Sequence, residues 1–197
     1  MKKPLHLLGL SVLSLMLMAG PVAAEDEEIP AYRETRQGLY VTAKEAHALM
    51  QDNERAVLID VRDPVEIKFT GFAEPTGIHV PWVLADRTRF DEQGGTWPMV
   101  RNNRFEEQVR ARLDALGVAP EDPVIVMCRS GSTRSAPAAD LIAAMGFEEV
   151  YSVTDGFEGG KLDSGDSKGV RAKSGWRNSG LPWSYEVDPD VAWTDDR

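Results

Sequence analysis

Cysteine is nearly missing: Cys128 is the one thiol in 197 residues. A single cysteine excludes an intramolecular disulfide and a tetrahedral cysteine zinc site. Histidine does not make up the deficit, since the three in the chain (His6, His47 and His79) are scattered. Positive charge is short as well, with 22 Lys and Arg against 32 Asp and Glu and a formal net charge of −10. That balance disfavours nucleic acid, whose phosphates need cations to neutralise them, and an anionic membrane surface as partner. A small anionic substrate stays compatible, because a local cluster of N–H groups and arginines overrides the global charge. No internal repeat is visible.

Long apolar runs are limited to Leu7–Met18, short for a membrane span. Lys2 and Lys3 precede this run and Val22-Ala23-Ala24 follow it, which is the form of a cleaved signal peptide. The expectation is a leader over residues 1–24 and a soluble protein in the periplasm or outside the cell, starting near Glu25. It has 173 of the 197 residues, enough for one domain, and a charge of −12 once Lys2 and Lys3 are gone.

Residues 25–37 are polar, acidic and without periodicity, and read as a mobile linker. Thr42-Ala43-Lys44-Glu45 has the form of a capping box, followed by Ala46, Leu49 and Met50 at helical spacing. Ala56–Val61, Gly77–Pro81, Val124–Met127 and Glu149–Val153 read as strands, the first and third apolar enough for a buried parallel sheet. Phe105, Val109, Leu113 and Leu116 predict a helix stopped by Gly117, and Ala138, Leu141, Ile142 and Met145 another ended by Gly146. This alternation predicts an α/β domain with a mainly parallel sheet. Residues 163–169 read as an exposed polar loop, and Trp176, Leu181 and Trp183 as a segment that packs back on the domain.

Cys128 falls at the carboxyl end of a predicted strand, on the turn into a helix. Ligands bind at that edge of open α/β sheets, and unpaired N–H groups at the helix start favour an anion. A loop of small residues lets successive N–H groups turn inward, with Gly131 tolerating the dihedral this needs. The same field, with Arg129 and Arg134, lowers a thiol pKa and predicts a thiolate nucleophile at neutral pH. The bland alternative is a buried, inert cysteine.

Leu58-Ile59-Asp60-Val61-Arg62-Asp63-Pro64-Val65-Glu66 resembles a segment of the rhodanese family, and Cys128-Arg129-Ser130-Gly131 resembles its active-site loop. Gly156-Phe157-Glu158-Gly159 and the stretch from Gly175 to Trp183 are similar to the close of single-domain members. The resemblance covers roughly residues 39–183. It implies a five-stranded, mainly parallel sheet with helices on both faces. The expected domain spans residues 38–185, and the acidic residues 186–197 after it read as a solvated tail. It implies that Cys128 takes a sulfane sulfur from a donor such as thiosulfate, becomes a persulfide and passes the sulfur to a thiophilic acceptor. No metal or organic cofactor is implied. Arg129, Ser130, Gly131, Ser132, Thr133 and Arg134 would bind the anionic donor. Asp60, Arg62 and Glu66 would support the loop, the first two as a buried charge-assisted pair.

Two departures from the family pattern stand out. Gly71-Phe72-Ala73 and a shifted Gly77-Ile78-His79 read as a loop insertion, with His79 structural. The loop has six residues if it ends at Thr133, with Arg134 then opening the helix. It has seven if it runs to Arg134 as C-x5-R, the length in rhodanese-fold phosphatases and arsenate reductases. That enzyme, or a sulfur carrier that hands its persulfide only to a protein partner, is the alternative reading. Trp82 and Trp97 are candidates for the pocket mouth that the sequence does not place.

Overall fold

The computed structural model describes residues 29–195, so the expected leader and the first acidic residues after it lie outside the described residues. The chain forms β1 (Tyr40–Val41), α1 (Ala43–Asp52), β2 (Val57–Asp60), α2 (Pro64–Thr70), β3 (Phe72–Ala73), β4 (Thr76–His79) and β5 (Val83–Ala85). There follow β6 (Met99–Arg101), α3 (Phe105–Leu116), β7 (Val124–Met127), α4 (Ser135–Ala144), β8 (Val150–Val153) and β9 (Trp183–Ser184).

Five strands make one parallel sheet in the order β1-β8-β7-β2-β4. Period-two alternation sends successive side chains to opposite faces. In β7, Val124 and Val126 join a cluster with Phe105, Val109 and Leu113 of α3 and Ala138 and Ile142 of α4. Ile125 and Met127 point the other way, to Ala43 and Ala46 of α1 and to Phe157 and Trp176. Helices therefore cover both faces, and each fully buried Val, Ile or Leu contributes about 1.5–3 kcal/mol. From β2 the chain runs outward to β4, then returns past β2 to β7 and on to β8. The winding reverses between β2 and β7, which leaves a crevice above their carboxyl ends.

Capping sets the helix starts. The box of Thr42 and Glu45 is present, and Asp63, Pro64 and Glu66 form a second at α2. Gly71-Phe72-Ala73 is more than an inserted loop: β3 pairs antiparallel with β9. Gly71 has φ +95°, and a Cβ there would lie 2.5 Å from the Trp183 ring. Gly71 is thus a glycine because an indole lies where a side chain would go. The chain between β5 and β6 forms a hairpin arm, stiffened at its tip by the edge-on contact of Phe90 and Trp97.

The described residues before β1 and after β9 are tied to the domain. The expected mobile linker includes a short 3-10 helix, Ala31–Arg33. Arg33 donates to the Thr154 carbonyl, Arg36 N–H to Asp140 Oδ1 at 2.7 Å, and Gln37 bonds Phe147 and Val150. Near the other end, Trp193 packs on the α3 face, its indole N–H donating to Gln108 at 3.1 Å and its backbone N–H to His79 Nδ1 at 3.2 Å. Long polar side chains, which a periodicity reading scores as solvated, supply these contacts. Residues 163–169 are exposed, and Trp176 is fully buried, as the sequence suggests.

Candidate active site

Asp60 and Arg62 come together at the end of β2 beneath the crevice, both fully buried. The guanidinium donates to Asp60, to Thr70 Oγ1 at 2.8 Å and to the Gly71 carbonyl at 3.0 Å, and lies 4.0 Å over the Phe157 ring. It holds the turn and is absent from the cleft walls. His79 is buried, with Nε2 2.9 Å from the Arg62 carbonyl. Since Nδ1 accepts from Trp193, Nε2 is the donor and the ring is neutral. Burial pushes its pKa down, and it serves as a structural histidine.

Cys128 is the next residue after β7, in the middle of the sheet, and is 1% exposed. The loop after it closes against the segment following β8. Phe157 N–H donates to the Cys128 carbonyl at 2.9 Å, and Glu158 N–H to the Arg129 carbonyl at 2.8 Å. Gly131 has φ +62°, and a Cβ there would lie 2.0 Å from the Thr154 carbonyl oxygen. Only glycine suits both the dihedral and the approach.

Helix α4 begins at Ser135. Arg134 is its N-cap, and its carbonyl accepts the first helical bond, from Ala138 N–H at 3.1 Å. The loop therefore runs seven residues, Cys128 through Arg134, and Arg134 does not open the helix.

The Cys128 sulfur lies 3.5 Å from the Ser135 hydroxyl. Burial alone would push the thiol pKa up. The Arg134 charge, the Ser135 hydroxyl and the N–H groups of Ser130 and Ser135 outweigh it and hold the thiol below its ordinary value. Arg134 is bound to Glu66 through both terminal nitrogens, one at 2.9 Å. Burial raises the Glu66 carboxyl, but Arg134 and the Asp63 N–H bring it down further. Arg129 pairs with Glu158 at 2.5 Å, and Arg177 binds the other oxygen at 2.8 Å. Both arginines expected to attract a donor thus have carboxylate partners.

Beside the loop that follows Cys128 lies a cleft of about 530 Å³. Arg129, Ser130, Ser132, Thr133, Arg134 and Glu66 line one part, and Trp82, Val83 and Met99 of the hairpin arm another. Trp82 borders the mouth, while Trp97 lies out on the arm against Phe90. Arg171 completes the lining. Three contributors were not singled out in the sequence for these roles. Ser135 directly follows the C-x5-R pattern, which is a usable signal. Glu158 lies in a recognised segment, whose charge is the clue. Arg171 carries no local signal.

The arrangement provides a buried thiol, donors that favour its ionised form and a cleft lined by the residues of its loop. The family model of the rhodanese-like domain matches residues 42–163. Rv0390 from M. tuberculosis, known as a crystal structure, is 32% identical, with 74% of this chain and 96% of that one covered and a TM-score of 0.54. The polysulfide-sulfur transferase homodimer from Wolinella succinogenes is 24% identical over 74% of this chain and 77% of that one, with a TM-score of 0.46. Uncharacterized protein RP600 of Rickettsia prowazekii is 26% identical over 145 residues, 74% of this chain and 96% of its own. With its five parallel strands, helices on both faces and a cysteine loop at the winding reversal, this chain belongs to the rhodanese-like domain family.

Proposed function

We propose that the protein is an exported sulfurtransferase in which Cys128 carries the sulfur. The observation that carries this reading is the buried central thiol on the strand-to-helix turn, 3.5 Å from the Ser135 hydroxyl at the start of α4, an arrangement that favours its ionised form. Its thiolate attacks the outer sulfur of a sulfane donor. With thiosulfate, the S–S bond breaks, sulfite leaves with the bonding pair, and Cys128 becomes a persulfide anion. Ser135 and the N–H groups of Ser130 and Ser135 stabilise the negative charge on the thiolate and then on the persulfide. A thiophilic acceptor then takes the outer sulfur; cyanide leaves as thiocyanate and the thiolate returns. A terminal sulfur atom also needs less opening to reach a thiol 1% exposed than a phosphoryl group does.

The seven-residue loop favours a second reading, a phosphatase or arsenate reductase of the C-x5-R type. Against it, the Arg134 charge is already paired with the Glu66 carboxylate, which disfavours bringing a dianionic tetrahedral oxyanion beside it.

Intact-mass measurement after incubation with thiosulfate tests the proposal. Wild type gains one sulfur atom and loses it to cyanide as thiocyanate, while Cys128→Ser gains none. Absence of loading from thiosulfate and from polysulfide, with Cys128-dependent hydrolysis of an aryl phosphate, would move the assignment to the second reading. Stable loading with negligible turnover on cyanide would instead point to a carrier for a protein acceptor.

A further inference from the structure

Three arginines line the cleft beside the Cys128 loop, and their surroundings differ. Arg129 faces Glu158 and Arg134 faces Glu66. Among the described residues no carboxylate lies within ion-pair distance of Arg171; its Nη1 donates to the Gly159 carbonyl at 2.7 Å. Burial, Arg129 and Arg134 all push its pKa down, with Glu158 and Cys128 acting in the opposite direction. It is a cation in a confined place, made less comfortable by its neighbours and within electrostatic reach of the thiol.

Its position is fixed by backbone. Residues 160–174 form a loop whose two ends are pressed together: a Cβ on Gly159 would lie 2.0 Å from the Ser174 carbonyl oxygen, and one on Gly175 2.4 Å from Gly159 N. Lys161 and Arg171 pair as an antiparallel bridge, and Ala172 N–H donates to the Gly160 carbonyl at 3.2 Å. The polar part of the loop is exposed, and the returning chain brings Arg171 into the cleft lining. The family match ends at residue 163, before this arginine.

We infer that Arg171 is a donor-binding residue that holds the oxyanion end of the sulfur donor, selecting a donor of the thiosulfate or organic thiosulfonate class. This rests on the sulfurtransferase reading. The sulfane sulfur points down to Cys128, the sulfonyl oxygens accept from Arg171, and Trp82, Val83 and Met99 leave apolar room beside them. Thiolate attack forms the new S–S bond as the donor's own breaks, and sulfite or an organic sulfinate departs with the electron pair, still held by Arg171. A guanidinium holding the leaving anion contributes charge-assisted hydrogen bonds from a cation that has no carboxylate paired with it among the described residues, unlike Arg129 and Arg134.

The test is steady-state kinetics of Arg171→Met and Arg171→Lys. With thiosulfate, Arg171→Met raises KM by about 10- to 100-fold with kcat changed far less, and Arg171→Lys recovers part of the loss. Loading from inorganic polysulfide, which has no oxyanion end, changes far less in both variants. Equal losses toward both donors, or no rescue by lysine, would overturn the inference. A second measurement separates it from the sulfurtransferase reading itself. In the Cys128→Ser protein, sulfite binding is followed by tryptophan fluorescence, Trp82 lying in the cleft. Arg171→Met on that background weakens sulfite binding whether or not wild type transfers sulfur; unchanged affinity overturns the inference alone.

Discussion

Strands β2 and β7 lie side by side, run the same way and end at the same edge of the sheet, yet their ends do opposite things. At the end of β2, Arg62 is fully buried and its donors are satisfied by Asp60, Thr70 and the Gly71 carbonyl, with Phe157 under its face. At the end of β7, the Cys128 sulfur is just as buried, but its side-chain partner is a hydroxyl 3.5 Å away and a cleft lies beside its loop. The difference teaches how to tell structure from chemistry at a shared sheet edge. A saturated network holds one geometry, whereas a thiol with hydrogen-bonding capacity still to fill can bind a changing partner.

Breaking the saturated side should have the largest effect on stability. Arg62→Met leaves Asp60 as an uncompensated buried carboxylate and should destabilise the fold by about 3–5 kcal/mol. Denaturant unfolding measures it, and the protein that remains folded should still load sulfur. A loss of loading without loss of stability would show that the two strand ends are not separable.

Gly131→Ala should come next. The dihedral and the 2.0 Å approach to the Thr154 carbonyl leave no place for a methyl group, so the loop must lift off the segment after β8. A cost of about 1–3 kcal/mol is expected, with sulfur loading strongly reduced in the folded fraction. Unchanged loading would mean that the loop's shape is unimportant to the thiol.

The mildest and sharpest probe is Arg134→Met, read as a pH–rate profile of persulfide formation. The thiolate is the reactive form, so the rate rises with pH through the thiol pKa, which lies below its ordinary value in wild type. Removing the Arg134 charge leaves burial and a nearby Glu66 to disfavour the thiolate. The profile should therefore move to higher pH, with rate lost near neutrality and regained in alkali. An unmoved profile would mean that the hydroxyl and N–H groups alone set the thiol.

Much of the site was legible because it is local. Cys128, the small-residue loop and the apolar run of β7 lie within a dozen residues, and their order alone puts the thiol on a strand-to-helix turn. The Asp60–Arg62 pair spans two residues and was legible for the same reason. The length of the loop was not, because C-R-S-G-S-T-R can be cut in two places and the first helical hydrogen bond decides between them. Trp82 and Trp97 looked alike in the sequence, and only the pairing of β5 with β6 put one at the mouth and the other out on the arm. Periodicity gives no sign that the acidic segments flanking the domain are anchored, yet their described residues form side-chain bonds to residues more than seventy positions away.

By itself, then, the sequence determined the alternating α/β plan, the buried strands, the caps and the single thiol, since each depends on periodicity or on neighbours a few residues apart. The tertiary structure alone decided which charges face which. Glu66 meets Arg134 across 68 positions and Glu158 meets Arg129 across 29, while Arg171 is brought to the cleft with no carboxylate within ion-pair distance among the described residues. The electrostatics of a thiol depends on distances in space, and those distances are set by packing the whole sheet.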